Sequence, residues 1–486
     1  MRTIFKNTFW IALNKIISIL FPLLSYAYVS RTLGVDGIGK YNYVTSITSY
    51  FVLFAGMGIS SYAIREGTKR RENKKELSQF VSEVFSLNVI TTVVVLIIYI
   101  CFLCVFHENL DTYISLFIIC TVFIVDVPFE MEWIFSIYES FKYITIRSLI
   151  FRTIGLVAIF LFIRNEDDLI TYTIILSLNA MAITLYNYIY AKKQVAIKFC
   201  IEWSKIKKHI SQVLVMFITT ITINLYTNSD LTILGFYCGD YEVGLYASAV
   251  KIYSIVDMLI ASFALAAYPH IVSEKQKAFG NEKELMYSIE KIICFILFPI
   301  AAGLGLLSYE ALYLISGSQY TDASIALSLL SIALIFNILN WFWTRCVILP
   351  QNMEKKMLLI AIIAGMTNLV LNLLIIPQWG KTGAAWTTIC AEFITTIGYT
   401  IIGKKYVKKM DIKDFWYPIV GSLGIITTII LMKHYFKTIY VYLPLAIIGC
   451  GGAYIIGGFL LDKQMKEWFK KVKEIRRKNH ENKSFT

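Results

Sequence analysis

The sequence predicts an all-α, polytopic membrane protein of about 14 transmembrane helices. Three observations carry that prediction. Hydrophobic residues make up 57% of the 486 and charged residues only 16%, beyond the roughly one-half apolar share of a soluble domain. Long apolar runs recur along the whole chain, and runs such as VITTVVVLIIYICFLCVF do not alternate as membrane-barrel strands would. The segments between the runs switch regularly between basic and neutral or acidic.

Helices are expected at about 8–29, 41–63, 79–106, 113–137, 147–163, 169–191, 211–235, 244–270, 287–308, 323–349, 357–377, 383–403, 416–432 and 441–461. Each has about 17 to 28 residues, enough for a bilayer core of about 30 Å at about 1.5 Å per residue. The first follows Arg2 and Lys6, as a signal peptide would. It has no A-x-A cleavage site and carries Asn14, Lys15 and Pro22, so it reads as a retained span.

The connecting segments set the topology. REGTKRRENKK, KKQVAIKFCIEWSKIKK, SEKQKAFGNEK, GKKYVKKMDIK and the tail KQMKEWFKKVKEIRRKNHENK are basic; HENLD, RNEDD, YCGDYE and SGSQYTD are not. One side of the membrane collects roughly 36 Lys and Arg and the other about 6, which places the basic side and both termini in the cytoplasm. The formal charge of +13 is therefore topology and contact with the lipid bilayer, and no nucleic acid partner is expected. No loop is long enough for a domain outside the membrane.

Enzyme signatures are missing. There is no P-loop, nucleotide-binding glycine run, HExxH or GxSxG, so neither an enzyme activity nor a cofactor is expected. The nine cysteines are scattered. Cys101 and Cys104 form a CxxC inside a helix with no second pair or His cluster, so they read as small apolar residues and no metal is expected.

An internal repeat suggests the architecture. TLGVDGIGKYNYVTSITSYFVLFAGMGISSYAIRE and ILGFYCGDYEVGLYASAVKIYSIVDMLIASFALAAYPHIVSE each read Leu-Gly, a short outer turn, Gly-x-Tyr, then a helix. Leu33-Gly34 matches Leu234-Gly235, and Gly39 and Tyr41 match Gly244 and Tyr246. An even number of spans separates the copies, so both enter the membrane the same way. Two six-helix bundles related by a pseudo-two-fold along the membrane normal follow, with a C-terminal helix pair appended. The expected division is an N-terminal lobe over 1–192, a basic linker over 193–208, a C-terminal lobe over 209–408, the helix pair over 409–462 and a basic tail over 463–486.

Intramembrane charges usually face a cavity or a partner. They are Lys15, Asp126, Glu130, Glu132, Asp230, Lys251, Asp257, Arg345 and Glu392. Lys15 and Arg345 lie near cytoplasmic ends, where snorkelling competes with function. Lys251 and Asp230 lie at similar depths, so an ion pair competes there. Polar stripes run along Asn7, Asn14, Ser18 and Ser25; Asn42, Thr45, Ser49, Gly56 and Ser60; Thr220, Asn224, Thr227 and Asn228; and Asn337, Asn340, Trp341 and Thr344. One stripe could be interhelical glue, whereas four fit a wet central cavity. The substrate-binding candidates are Lys15, Arg31, Asn14, Asn42, Asn224, Asn228, Lys251, Asn337, Trp341 and Arg345. The ion-coupling candidates are Asp126, Glu130, Asp230, Asp257 and Glu392.

The stretch DVPFEMEWIFSIYESFKYITIR concentrates acids around Pro128. On a continuous helix Asp126, Glu130 and Trp133 share one face, Glu132 and Glu139 another, and Glu139 pairs with Lys142 at i,i+3. Pro128 is expected to kink that helix. Two neighbouring acids in low dielectric do not ionise together easily, which suits a proton or cation site.

EWIFSIYESFKYITIRSLIFR resembles a pattern of the polysaccharide-biosynthesis flippases through Trp133, Phe135, Glu139, Lys142, Tyr143, Ile144 and Arg147. IIPQWGKTGAAW resembles that family's turn through Pro377, Gly380, Gly383, Ala384 and Ala385, and SRTLGVDGIGKY and EVGLYASAVKI also fit. The chain is thereby identified with the Wzx-like O-antigen and capsule repeat-unit flippases of the multidrug/oligosaccharidyl-lipid/polysaccharide exporter superfamily, over about residues 5–460. The resemblance implies alternating access in a bacterial cytoplasmic membrane. It implies an undecaprenyl-pyrophosphate-linked oligosaccharide as substrate, a monomer, and polysaccharide polymerase and glycosyltransferases as partners. A cationic cavity for the pyrophosphate is implied too, for which Lys15, Lys251 and Arg31 are the nearest residues. The competing reading is an ion-coupled drug or metabolite antiporter of the same superfamily. A membrane polymerase or ligase would need a large outer loop with Arg or His, which this sequence does not have.

Overall fold

The computed structural model describes residues 2–200, 202–277, 282–408, 416–436 and 438–461, and only the backbone at 2–8, 109, 219, 222–227, 262–277, 282, 284, 285 and 459. Among the described residues every regular element is helical. They fall into two compact units, one within 1–251, 312–323 and 361–387, the other within 252–311, 324–360 and 388–486.

In chain order the helices are α1 (Arg2–Gly56), α2 (Ile59–Thr68), α3 (Lys74–Val105), α4 (His107–Leu110), α5 (Ile114–Val125), α6 (Glu132–Ile137), α7 (Phe141–Phe162), α8 (Leu169–Gln194) and α9 (Trp203–Cys238). They continue with α10 (Asp240–Lys277), α11 (Glu282–Leu306), α12 (Ser308–Ile315), α13 (Ser324–Phe342), α14 (Glu354–Gly403), α15 (Trp416–Tyr435), α16 (Ile439–Pro444) and α17 (Gly451–Leu461). Among the described residues, 11 helical segments are long and apolar enough to cross a membrane. Two of them, of 60 and 53 residues, are too long for one crossing, and each breaks at a glycine with positive φ. Gly34 (φ 70) divides α1 and Gly380 (φ 52) divides α14, so each supplies two of the expected helices.

The Gly380 break shows why the sequence turns there. A Cβ at Gly380 would lie 2.5 Å from Glu242 Oε2. That carboxylate accepts the Lys381 backbone N–H at 2.9 Å, and its other oxygen holds Lys381 Nζ at 2.7 Å. The second leg of α14 thus starts with an anion at its N-terminus, where the helix dipole favours one.

The first unit is built around two apolar clusters. One joins α1, α3 and α5 through Val44, Val95, Tyr99, Phe117 and Ile124, with the Tyr99 hydroxyl donating to Phe117 O at 2.8 Å. The other lies at the basic end, where Tyr62, Phe80, Trp133 and Phe135 pack together. Ile97, Ile98 and Ile100 on α3 and Ile150, Ile154 and Leu161 on α7 are exposed. Helices that are apolar on their exposed faces as well belong in lipid.

In the second unit α15 lies along α11. The Phe295 ring stacks at 5.9 Å on Tyr417, and the Tyr454 hydroxyl donates to Phe295 O at 2.9 Å. At one end buried Glu310 on α12 accepts from Lys433 Nζ at 2.7 Å and from the Tyr442 hydroxyl. The appended pair is thus tied to this unit by buried polar contacts as well as by packing.

The stretch after Asp126 differs from the continuous helix expected. α5 ends at Val125, one 3-10 turn spans Val127–Phe129, Glu130 takes ψ 72, and α6 starts only at Glu132. Pro128 has no N–H to continue the ladder, so it ends the helix rather than kinking it. The Val127 carbonyl accepts the Glu130 N–H at 3.3 Å, closing the turn, and Asn88 Nδ2 at 3.4 Å. The predicted faces therefore dissolve. Glu139, at φ 53, pairs with Arg71 at 2.9 Å in place of the expected i,i+3 partner Lys142.

Candidate functional site: two cavities and two buried polar clusters

A cavity of about 310 Å³ in the first unit is lined by both legs of α1, by α7 and α8, and by the start of α10. Its polar walls are Tyr26, Tyr41, Asn42, Arg152, Tyr172, Asn179 and Lys251. Lys251 Nζ lies 5.7 Å from the Tyr26 ring centroid, within range of cation–π attraction. The Tyr26 hydroxyl is fixed by Ser248 Oγ at 2.5 Å, and Asn42 Nδ2 donates to Ile38 O at 2.7 Å. Arg152 Nε donates to Ser148 Oγ at 3.0 Å. Two cations amid aromatic faces and amides can take an anionic group with sugar hydroxyls beside it.

Of the polar and charged residues singled out in the sequence, Ser25, Asn42 and Lys251 line this cavity. Arg152, Tyr26, Tyr41, Tyr172 and Asn179 were missed. Arg152 carries the same signal as Lys251, a charge inside an apolar run. The tyrosines carry no signal of their own in a chain with 31 of them.

A second cavity, of about 470 Å³, is lined by Tyr41, Thr45, Ser49, Asp126, Glu130, Glu132, Thr184 and Asn187 among others. Tyr41 lines both cavities. Asp126 is buried, and its Oδ1 accepts from Thr184 Oγ1 at 3.0 Å. Glu132 Oε2 lies 2.5 Å from Arg147 Nη2, and Arg147 Nη1 donates to Asn187 Oδ1. The broken backbone between α5 and α6 lies along this cavity, where irregular chain at membrane depth is tolerated.

Asp230 sits in a third polar group of the same unit. Its carboxylate accepts from the Tyr246 hydroxyl at 2.8 Å and from Asn372 Nδ2 at 2.6 Å. Ser229, Asn368 and Thr387 complete a chain of hydrogen bonds around Asn372. Asn368, Asn372 and Thr387 were missed by sequence reasoning, although Asn368 and Asn372 form an i,i+4 amide pair in an apolar run. Asn228 lies on the same helix, half-buried; the side chain of Asn224 is outside the described residues.

In the second unit Asn337 Nδ2 and Asn340 Nδ2 donate to the two oxygens of buried Glu392, at 2.9 and 2.7 Å. Arg345 stacks on Trp341, 5.2 Å from its centroid. Arg345 lies in the π-helical turn over Trp343–Ile348 that follows α13, a distortion found often at functional sites. Asp257 is half-buried in this unit.

The remaining candidates lie apart from these groups. Lys15 is exposed, and Asn14 Oδ1 is buried without a partner. Arg31 Nη2 donates to Leu314 O at 2.5 Å, and the Tyr320 hydroxyl donates to Ser30 O and Gly34 O at 3.0 and 2.8 Å. Arg31 thus helps tie the first outer turn to residues 312–323. Among the described residues, no group of three or more His, Cys, Asp or Glu side chains could hold a metal ion.

Known proteins share the sequence pattern and the fold of this chain. The polysaccharide biosynthesis protein family matches residues 4–274. A putative O-antigen transporter of Escherichia coli (strain K12) is 25% identical over 398 residues, covering 80% of this chain and 94% of that protein. The capsular polysaccharide biosynthesis protein CapF of Staphylococcus aureus is 22% identical over 417 residues, covering 82% of this chain and 99% of CapF. The solved structure of the lipid II flippase MurJ, in an inward closed conformation, is similar with a TM-score of 0.73 at 17% identity, over 95% of this chain and 99% of that one. With its multi-pass helical fold and its match across more than half its length, the chain belongs to the polysaccharide biosynthesis protein family of membrane transporters.

Proposed function

We propose that this protein is a flippase of a bacterial cytoplasmic membrane that moves undecaprenyl-pyrophosphate-linked oligosaccharide repeat units outward for surface polysaccharide. The observation that carries this reading is the cavity holding Lys251 and Arg152 amid Tyr26, Tyr41, Asn42 and Asn179. A pyrophosphate leaves water only for cations or oriented donors, and sugars bind amides and aromatic faces. The named relatives are a putative O-antigen transporter and a capsular polysaccharide biosynthesis protein, which supports the same substrate class.

The mechanism is alternating access by two six-helix lobes, 1–192 and 209–408, joined by the linker 193–208 and followed by the pair 409–462 and the tail 463–486. The reciprocal contacts of Gly39 and Gly244 with the opposite repeat copy support a pseudo-two-fold between them. The charged headgroup passes through the cavity while the lipid tail stays in the bilayer. Lys15, Asn14, Arg31, Asn228, Asn337, Trp341 and Arg345 remain secondary candidates along the path. Asp230 with its amide cluster is our first choice for the coupling ion, and Asp126 with Glu130 the second; Asp257 and Glu392 follow.

The test is complementation of a flippase-null strain. Lys251→Ala and Arg152→Gln, each expressed at wild-type level, should cut export at least about tenfold, the loss expected for one charge-assisted contact, while lipid-linked saccharide accumulates inside. Wild-type export by both variants would remove this cavity from the mechanism.

A further inference from the structure

A groove of about 500 Å³ at the basic end of α7 is separate from the cavities above. Ser140, Lys142, Tyr143, Ile146, Arg147, Ile150, Phe151 and Tyr186 line it, and Arg71 bonded to Glu139 next to it fixes which end this is. It absorbs Lys142, Tyr143 and Arg147 of the sequence motif.

Its chemistry is graded along the membrane normal. Ile146 and Ile150 are exposed and continue the lipid-facing stripe of α7. Above them the Tyr143 ring stacks on Tyr190 at 4.3 Å and on Tyr186 at 6.2 Å. At the mouth Lys142 is exposed, with Nζ 5.9 Å from the Trp10 ring, and Lys193 lies 6.0 Å from the Tyr190 ring. Aromatic rings under cations mark the headgroup level of a bilayer.

Two polar atoms in this wall lack partners. Arg147 is 6% exposed, and its Nε is buried with no hydrogen bond although both its Nη atoms are occupied. The Tyr143 hydroxyl is likewise buried and unbonded. Buried donors in native proteins are nearly always satisfied. The start of α7 behind Ser140 has no side-chain cap, so its first N–H groups favour an anion as well. Glu132, the one carboxylate touching Arg147 among the described residues, lines the neighbouring acidic cavity.

We propose that this groove holds the phosphodiester headgroup of an anionic phospholipid from the leaflet on the basic side, a resident lipid rather than the transported one. Its phosphate accepts from Lys142 and from the Tyr143 hydroxyl and Arg147 Nε, and one acyl chain runs down Ile146 and Ile150. A zwitterionic lipid offers the same chains but carries an ammonium towards Lys142, so the groove selects against it.

The test is native mass spectrometry of the full chain released from vesicles of equal phosphatidylglycerol and phosphatidylcholine. Wild type should retain phosphatidylglycerol in preference, and about 10 mM inorganic phosphate should not displace it. Lys142→Gln and Tyr143→Phe, which keep the fold because one side chain is exposed and the other keeps its ring, should each weaken retention about fivefold. Lys355→Gln, an exposed charge in the other unit, should retain as wild type does. Equal retention of both lipids, displacement by phosphate, or wild-type retention by either groove variant would overturn the proposal.

Discussion

A Cβ on Gly39 would sit 1.9 Å from the carbonyl oxygen of Asp240, so the two repeat copies meet backbone to backbone. The contact is reciprocal: a Cβ on Gly244 would sit 2.1 Å from Val35 O, and one on Gly235 2.1 Å from the Tyr43 ring. These glycines serve close approach rather than backbone freedom. Gly39→Ala or Gly244→Ala must push the two outer turns apart. We expect each to cost about 1–3 kcal/mol, as overpacking does, seen as a lower melting temperature in detergent together with reduced export. A melting temperature equal to wild type would show that the turns yield freely.

Asp230 offers a direct probe of coupling. Its carboxylate accepts two hydrogen bonds and lies among Ser229, Asn368, Asn372 and Thr387, oxygens suited to a hard cation. Asp230→Asn should flatten the dependence of export on the driving ion gradient. Asp126→Asn with Glu130→Gln should leave that dependence largely in place if Asp230 is the coupling site. Transport in vesicles with imposed sodium or proton gradients separates the two, and an unchanged Asp230→Asn profile would exclude Asp230.

Glu310 and Lys433 fasten the appended helices. Glu310 is nearly fully buried while Lys433 is about one-third exposed, so the solvent weakens the pair without abolishing it. Glu310→Gln should cost about 2 kcal/mol, in the range for hydrogen bonds to charged groups. Removing Lys433 alone should cost more, because it leaves a buried carboxylate with fewer donors. Thermal unfolding and protease access at the α15–α17 connections would measure this. A Glu310→Gln/Lys433→Met double variant should recover part of the loss.

His209 predicts a pH effect at the basic end, just short of the apolar run over 211–235. Its Nδ1 accepts from the Tyr62 hydroxyl at 2.7 Å while Nε2 donates to Glu83 at 2.9 Å, which sets a neutral tautomer. Burial holds the imidazole below its ordinary range. The unfolded chain therefore binds a proton that the folded chain refuses. The stabilisation is complete above about pH 6.5 and falls as pH drops below that value. Protection factors over α2 and the start of α9, which take out the intrinsic pH dependence of amide exchange, should fall in acid, and His209→Phe should remove that fall. Unchanged protection factors between pH 7 and the acid side in wild type would refute it.

Much of this was legible in the sequence because it depends on local chemistry. Apolar run length fixed which segments are membrane helices, and the breaks at Gly34 and Gly380 fall between runs that were already separate. Lys251 and Asp230 announced themselves as charges where lipid would exclude them. Pro128 signalled an interruption, but only the structure shows a helix end there rather than a kink, with a tight turn whose Val127 carbonyl accepts from Asn88 of another helix.

Partners across helices were decided by tertiary structure alone. Periodicity reports which side of a helix a residue occupies, not which neighbour that side meets. Arg147 meets Glu132 across the turn between α6 and α7, Glu139 meets Arg71 instead of Lys142, and Arg152, Tyr26 and Asn179 join Lys251 from three different helices. The sequence determined that this chain crosses a membrane many times with charge inside it; packing decided which charges share a cavity, because helices without continuous local signals dock by shape and by satisfying buried polar groups.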